Sequence, residues 1–242
     1  MSQSVNTLLR LRELILNGEV RPGERVSELS VSDRIGASRT PVRAALMRLA
    51  DEGLLESLPG GGFAVRSFTE RDIRDAIEVR GTLEGLTARI AAEHGVAEGT
   101  LADLRDTIAR IDDLLGDDRG VEATFAEYVV LNEQFHTLLA EAADSPILAQ
   151  SLGRAAALPF ASPSGFLQAQ SVLPEARLIL TLAQEQHRAV VEAIANREGA
   201  RAEALMREHA RLARRNLELA LRDRTILQHI PGGALIRRRQ RT

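Results

Sequence analysis

Three histidines and one asparagine in the C-terminal half of the sequence are suited to bind a metal ion. Asn132 and His136 are four residues apart, so on a helix both side chains project from one face. His187 and His209 fall on two later predicted helices. Imidazole nitrogens and one oxygen suit a divalent cation such as zinc, nickel or manganese, and leave positions for a carboxylate or water. The alternative is three core or surface histidines without a metal.

Such a site is also able to activate water, which makes a metal-dependent hydrolase the alternative from another functional class. However, the sequence contains no His-Glu-x-x-His pair, no Gly-rich phosphate loop and no Gly-x-Ser-x-Gly nucleophile elbow. We therefore expect a protein that is not an enzyme.

A second group of residues with binding chemistry lies near the N-terminus, in the string ASRTPVR. Its polar members open a predicted helix, and they are Ser38, Arg39, Thr40 and Arg43. Arg39 and Arg43 are four apart and therefore neighbours on one helix face. A guanidinium donates two hydrogen bonds to guanine, while hydroxyls and a helix N-terminus suit phosphate oxygens. The alternative is two solvated arginines on a surface helix.

The elements around this string predict a winged helix-turn-helix domain over residues 1–67. Apolar residues recur at helical spacing in three segments, followed by two short apolar runs that flank a Pro-Gly-Gly-Gly turn. Three helices and a β-hairpin wing in this order are typical of that DNA-binding domain. The predicted helices are 4–17, 28–35 and 39–52.

The remaining chain predicts an all-helical domain over residues 68–224, and the protein as a whole is mainly α. We expect no strand after Thr69, and an antiparallel bundle of six helices. Residues 158–174 lack the residue patterns that begin and end helices, and are interpreted as a flexible loop or a lid over a ligand site. Residues 225–242 are interpreted as a disordered tail. The predicted helices are 70–94, with Thr69 as the N-cap, 98–115, 121–142, 145–157, 175–196 and 199–223.

Composition and charge limit the possible functions further. Of the 242 residues 44% are hydrophobic and 3% aromatic, which favours helices built from Ala, Leu, Ile and Val. The net charge of −3 argues against a protein that coats nucleic acid, so DNA binding must use a local patch. The sequence has no signal peptide and no apolar run of about 20 residues, which predicts a cytoplasmic protein without membrane contact.

The string ELSVSDRIGASRTPVRAALMRLADEGLLESLPGGGFAV resembles the DNA-binding domain of the GntR family of bacterial regulators. The resemblance implies operator contacts from the Ser, Arg and Thr positions named above, and we include Pro41 of the same motif. It also implies that the wing, at Gly61 or Gly62, approaches the minor groove. Leu29 stands where the family often has Arg, and the wing tip carries no basic side chain, so backbone N–H groups would make any contact there.

The helical half resembles the FCD effector domain of the same family. Its landmarks are FTERDIRDAIEVRGTLEGLTARIAA, LNEQFHTLL, EQHRAVVEAIA and MREHARLA. In the metal-binding members an Asp-x-x-x-His pair and two later histidines are the ligands, so here Asn132 replaces the usual Asp. Arg80 occupies a position that helps to bind anionic effectors. The alternative for Arg80 is a surface salt bridge to Glu84 at i+4.

Together these features predict a ligand-responsive bacterial transcription regulator. We expect a homodimer on a palindromic operator, a repressor by default, and a response to a small carboxylate metabolite in a metal-containing domain. The alternative is a DNA-binding dimer whose helical half binds neither effector nor metal.

Overall fold

A computed structural model describes residues 2–117, 121–158, 160–165, 167, 176–222, 227 and 230–237. The chain divides into two units. The first comprises Met1–Ile73, Ala157–Phe160 and Pro231–Thr242, and the second comprises Arg74–Ala156 and Ala161–Ile230. The boundary after Ile73 lies a few residues beyond the predicted one.

Three helices form the body of the first unit: α1 (Gln3–Leu16), α2 (Glu28–Ile35) and α3 (Arg39–Asp51). The Ser27 hydroxyl accepts the Ser30 N–H at 3.1 Å, and the Ser30 hydroxyl accepts the Ser27 N–H at 3.0 Å, so α2 begins with a reciprocal cap. Each helix buries one apolar face and leaves the other to solvent. The buried residues include Leu11, Ile15, Val31, Val42, Leu46 and Leu49.

A three-stranded antiparallel sheet completes this body in the order β1–β3–β2. The strands β2 (Leu55–Ser57) and β3 (Phe63–Val65) form the predicted hairpin, with Leu55 opposite Val65. The strand β1 (Arg25–Val26) was not predicted, because two residues carry no detectable alternation.

Two expectations about the rest of the first unit were wrong. We expected no strand after Thr69 and a disordered tail, but β4 (Phe68–Thr69) pairs in parallel with β5 (Ile236–Arg237). A 3₁₀ turn, Gly233–Leu235, precedes β5, and Leu235 and Ile236 are buried. The apolar residues of the segment that ends in β5 are therefore buried by tertiary contacts, although the segment is rich in charged residues. Residues 225–226, 228–229 and 238–242 of the predicted tail lie outside the described residues.

Within its described residues the second unit consists of helices and connecting turns and contains no strand, as expected. The helix α4 (Glu70–His94) begins with a cap in which Thr69 Oγ1 accepts the Asp72 N–H at 3.2 Å. The other five helices are α5 (Glu98–Gly116), α6 (Val121–Ala142), α7 (Pro146–Ala156), α8 (Ala176–Ala195) and α9 (Gly199–Arg222). All six agree with the predicted segments to within two residues.

Small residues let α4 approach α9 closely. A Cβ added at Gly81 would lie 2.5 Å from Ala210 Cβ, and one at Gly85 would lie 2.6 Å from Arg207 Cγ. The core beside this contact is built from Ala, Leu, Ile and Val with Phe135 and Met206, which agrees with the low aromatic content. Across the described ranges, none of the helices combines the length and apolar character that crossing a bilayer requires. Of the predicted loop at 158–174, Pro159, Phe166 and residues 168–174 lie outside the described part.

Candidate DNA-binding surface and metal centre

The N-terminal end of α3 presents to solvent four of the five DNA-contacting residues that were predicted there. Ser38, Arg39, Thr40 and Arg43 are exposed. Ser38 occupies the N-cap position, as expected, but its side chain makes no capping hydrogen bond with any described residue. Pro41 is buried and faces the interior of the domain, which does not support a direct contact with DNA. Its role is to start the helix, where a missing N–H costs nothing.

The wing tip is a tight turn built on glycines. Gly61 and Gly62 have φ angles of 83° and 81°, in the left-handed region that favours glycine. The Leu58 N–H donates to Gly62 O at 3.1 Å and the Gly61 N–H donates to Leu58 O at 2.9 Å, so these two amides are already used. A contact from the Gly61 N–H to a phosphate would require that bond to open.

A basic side chain reaches the wing tip from elsewhere in the sequence. Arg25 lies on β1 opposite Ala64 of β3, and its Nη2 donates to Gly61 O at 3.4 Å. As expected, the turn itself carries no basic side chain. The guanidinium of Arg25, 36 residues before Gly61, was not expected at the wing tip. Only the pairing of β1 with β3 reveals it.

Between the wing and the two helix starts lies an open groove of about 330 Å³, lined by Ser27, Glu28, Leu29, Arg39, Gly62 and Phe63. Leu29, which stands where the resembled family often has Arg, is 55% exposed in this groove. Glu28 Oε1 lies 3.7 Å from Arg43 Nε, an exposed contact that little restrains the arginine.

In the second unit the three predicted histidines converge. His136 on α6, His187 on α8 and His209 on α9 are all buried, and each offers a ligand atom within 4.8 Å of the other two. His187 Nε2 lies 3.2 Å from His209 Nε2. Two imidazoles bound to one tetrahedral zinc ion at about 2.0–2.1 Å place their nitrogens roughly 3.3 Å apart. The spacing therefore fits a shared cation.

The hydrogen-bond partners of the Nδ1 atoms of His187 and His209, which we call the outer nitrogens, indicate which ring nitrogen of each histidine is available to a metal ion. His187 Nδ1 lies 3.1 Å from Gln184 Oε1, and His209 Nδ1 lies 3.2 Å from Gln186 Oε1. The Gln184 amide orientation is set by its own Nε2, which donates to Ile108 O at 2.8 Å and to Asp112 Oδ1 at 2.6 Å. A carbonyl oxygen only accepts, so these contacts favour the tautomers in which Nδ1 carries the proton and Nε2 presents a lone pair.

Burial keeps these imidazoles neutral. Burial lowers the pKa of His187 well below its ordinary value, and the neighbouring His209 and His136 lower it further. Burial, followed by His136, lowers the pKa of His209 to about 3. Two neutral rings in these tautomers direct lone pairs at each other across 3.2 Å, an arrangement that a cation bound to both would satisfy. This arrangement argues against the alternative of three histidines with ordinary structural partners.

A buried carboxylate stands beside the third histidine. Glu84 Oε1 lies 2.9 Å from His136 Nδ1, off the line of a well-aligned hydrogen bond. Burial by itself would raise the pKa of Glu84, but Arg80 and then His136 overcome it and lower the pKa to about 2. A carboxylate at the outer nitrogen holds the ring orientation and increases the basicity of the other nitrogen. From the sequence, Glu84 was expected only as an ion-pair partner of Arg80, and its contact with His136 was not predicted.

Asn132 is buried one helical turn before His136, in the predicted position. Its Nδ2 donates to Ser164 Oγ at 3.3 Å, which leaves Oδ1 as the acceptor atom of the amide. Three imidazoles and an amide oxygen are a donor set that suits zinc or nickel. An amide oxygen carries no charge, so this set has one negative charge fewer than the Asp-containing one.

Arg80 is not the surface residue that the alternative interpretation described. It is 1% exposed, and its Nη1 donates to Glu84 Oε2 at 2.6 Å. Within the described residues, Arg80 Nε and the Tyr128 hydroxyl have no hydrogen-bond partner. Both residues line a pocket beside the histidines whose free volume, about 20 Å³, admits a single water. The other polar residues that line it are Asn132, His209 and Asn216.

Comparison with known families identifies both halves of the chain. Residues 4–65 match bacterial regulatory proteins of the gntR family, and residues 75–212 match the FCD domain. This chain belongs to the GntR family of bacterial regulators. The resemblance inferred from the sequence is thereby confirmed.

Individual GntR relatives agree with this assignment. A probable D-xylose utilization operon transcriptional repressor of Paenarthrobacter nicotinovorans is 31% identical over 183 residues, which are 74% of this chain and 73% of that protein. An HTH-type regulator of Bacillus subtilis, YdhC, is 31% identical over 54% of this chain, and the match spans 57% of the relative's length. These relatives are transcription regulators, so the prediction that the chain is not an enzyme is confirmed.

A solved structure, that of Escherichia coli McbR/YncC, shares the fold of this GntR protein. It superposes with a TM-score of 0.63 and 18% identity over 92% of this chain and 98% of that one. The predicted fold class, a winged helix-turn-helix with an FCD-like helical bundle, is confirmed.

Proposed function

We propose that this regulator binds a palindromic operator as a homodimer and that a small carboxylate, bound beside a metal ion in the FCD domain, changes its operator affinity. The observation that carries the ligand-responsive part is the meeting of the Nε2 atoms of His187 and His209, 3.2 Å apart, next to a pocket that contains Arg80.

The proposed DNA contacts come from the exposed start of α3 and from the wing. Arg39 and Arg43 read base edges in the major groove, where a bidentate arginine–guanine pair discriminates by about 1–3 kcal/mol. Ser38 and Thr40 contact phosphates. Gly61 and Gly62 let the wing approach the minor groove closely, and Arg25 supplies the cation that the turn lacks.

The proposed metal ligands are the three Nε2 atoms of His136, His187 and His209 and the Oδ1 of Asn132. When bound, the ion would supply positive charge and coordination positions that attract a carboxylate. Gln184, Gln186 and Glu84 hold the outer nitrogens, and thus keep the ligand atoms directed inward. Zinc fits this donor set, with nickel or manganese as the other candidates.

The proposed effector pocket is lined by polar atoms that lack partners. Arg80 Nε and the Tyr128 hydroxyl are buried without a hydrogen bond among the described residues, which is costly unless a ligand or water satisfies them. A carboxylate accepts from both. The free volume of about 20 Å³ means that a metabolite must enlarge the pocket when it binds.

Repression relieved by the ligand is the proposed sense of regulation. The relative from Paenarthrobacter nicotinovorans is named a repressor, and an effector that favours one arrangement of the two DNA-binding domains would couple to operator affinity by about 1–3 kcal/mol. Two other outcomes would replace this proposal. One is activation by the ligand, and the other is a DNA-binding dimer that binds neither metal nor effector.

The test begins with native mass spectrometry and elemental analysis of freshly purified protein, which report subunit count, metal and any co-purified ligand. Selection from a pool of random duplexes then gives the preferred site. Fluorescence anisotropy on that duplex is measured with chelator, with zinc, and with zinc plus a panel of small carboxylates. We expect a dimer, about one metal ion per chain and a ligand-dependent affinity. A dimer without metal whose affinity no carboxylate changes would support the effector-free alternative instead.

A further inference from the structure

An exposed leucine stands in the groove between the wing and the starts of α2 and α3. Leu29 is the second residue of α2 and is 55% exposed. The same groove is lined by Arg39 at the start of α3 and by Gly62 and Phe63 of the wing. A single exposed leucine is common on a protein surface. This leucine has a further meaning because it lies beside an arginine that the proposed function directs at base edges.

The groups around Leu29 suit base edges better than phosphates. Among the described residues that line the groove, Arg39 is the one cation and Glu28 the one anion. The Glu28 carboxylate repels a phosphate, whereas the amino group of cytosine can donate a hydrogen bond to it. Two backbone N–H groups at the start of α2 are already used, because the hydroxyls of Ser27 and Ser30 accept them. The start of α2 is therefore poorly suited to bind a phosphate.

The start of α2 lies beside both arginines that are proposed to read bases. Arg39 shares the groove with Leu29, and Glu28 Oε1 lies 3.7 Å from Arg43 Nε. Arg39 and Arg43 are one turn apart on α3, so the start of α2 borders the helix face that carries both. A duplex that both arginines contact therefore passes close to Leu29.

The side chain of Leu29 forms no hydrogen bond, so it can recognise only an apolar group on a base. In the major groove that group is the C5-methyl of thymine, which the other three bases lack. Contact between the leucine side chain and the methyl group removes apolar surface of both from water. Arginine, which the family often has at this position, would instead pair with guanine or a phosphate.

We propose that Leu29 recognises a thymine of the operator through its C5-methyl group, and is a specificity-determining residue in addition to Arg39 and Arg43. This inference rests on the proposed function, because it requires that α3 and the wing bind a duplex. Leu29 brings no charge to the interface. It therefore changes which base is preferred at one position of each half-site and leaves the salt dependence of binding unaltered.

The test replaces the thymines of the selected operator, one at a time, by deoxyuridine, which differs from thymine only in lacking the C5-methyl group. Fluorescence anisotropy with the full chain measures the affinity for each duplex. With the wild type, replacement at one position of a half-site should weaken binding about fourfold, which corresponds to one methyl-sized group taken from water.

The variants form a double-mutant cycle with this replacement. Leu29→Ala should bind the thymine duplex about fourfold more weakly than the wild type does, and should not distinguish thymine from deoxyuridine at the sensitive position. Leu29→Met keeps an apolar side chain of similar volume and should retain part of the discrimination. Leu9→Ala is the matched control, because Leu9 is a leucine of the same unit, is 46% exposed and does not line the groove. It should keep the full discrimination.

The outcomes separate this inference from the proposed function. A wild type that selects no duplex overturns the proposed function and the role of Leu29 with it. If an operator is selected and Arg43→Ala relaxes its base preference, but Leu29→Ala keeps every thymine-to-deoxyuridine affinity ratio of the wild type, the role of Leu29 alone is overturned. The same holds if no thymine of the operator is sensitive to the replacement in the wild type.

Discussion

The Nε2 atoms of His187 and His209 face each other at 3.2 Å, and each Nδ1 lies beside a glutamine carbonyl oxygen. With both Nδ1 atoms protonated no proton lies between the two Nε2 atoms, and burial opposes protonation of either ring. The pair is thus unfavourable by itself and becomes favourable when both lone pairs bind one cation. This relationship favours a metal centre over an ordinary buried histidine cluster.

Removing one of these two ligands should release the metal. We expect His187→Ala to lower zinc affinity by at least tenfold, because two imidazoles and a neutral amide bind far more weakly than three imidazoles and an amide. Elemental analysis after dialysis measures the metal content. His94→Ala is the control, since His94 is exposed at the end of α4, and it should keep its metal. An unchanged metal content in His187→Ala would refute the ligand set.

The buried histidines also predict how the metal-free protein responds to acid. Their pKa values are lowered in the folded state, so the unfolded chain binds more protons below its ordinary histidine pKa of about 6.5, and the free energy of unfolding falls as the pH falls. Between pH 6.5 and 5.5 each of the two should contribute a loss of about 1 kcal/mol. Glu84, with a pKa of about 2, adds a further loss only below about pH 4.5.

Urea unfolding in the presence of a chelator measures this dependence. A variant with both His187 and His209 replaced by Gln should show a clearly smaller slope over the same interval. Zinc should restore stability to the wild type at pH 6.5, because a ligand of the native state adds RT ln(1 + [L]/Kd). Equal slopes in variant and wild type would mean that these histidines are not held neutral.

On the DNA-binding surface, Arg43→Ala should cost about 1–3 kcal/mol of binding free energy on the best operator and relax discrimination at one base pair. The reason is the loss of a bidentate contact in the major groove. Anisotropy on the selected duplex and on single-base variants measures both effects. Arg48→Ala is the control, because Arg48 Nε is paired with Glu52 Oε1 at 2.8 Å near the end of α3. Equal losses on selected and random duplexes would contradict base recognition by Arg43.

Arg25 should behave differently from Arg43. Because it stands at the wing tip rather than in the recognition helix, Arg25→Ala should weaken binding to all duplexes similarly and reduce the salt dependence by about one counterion. Arg25→Lys should keep most of the salt dependence, since it keeps the charge. Binding titrations at several salt concentrations measure this dependence. If the slope of log affinity against log salt concentration is the same in Arg25→Ala as in the wild type, Arg25 lies away from the phosphates.

Helix boundaries and the histidine set were predictable from the sequence because both depend on local spacing. Asn132 and His136 lie one turn apart on a helix, as their spacing predicted. The helical spacing of apolar residues likewise predicted all nine described helices. The two-residue strands at Arg25 and Ile236 were not predictable, since a pair of residues has no period. The glutamines that orient the histidines were missed for a related reason, because their contacts depend on side-chain orientation rather than on spacing.

The buried pair of Arg80 and Glu84 offers the last prediction. Each side chain is at most 2% exposed, so removing one charge leaves the other buried without its main partner. We expect Arg80→Met to lower the free energy of unfolding by about 3–5 kcal/mol, and the double variant Arg80→Met/Glu84→Gln to lose much less. Urea unfolding of the wild type, both single variants and the double variant completes the cycle. Additive losses would mean that His136, not Arg80, is the partner that keeps Glu84 ionised, and that Arg80 is held ready for a ligand instead.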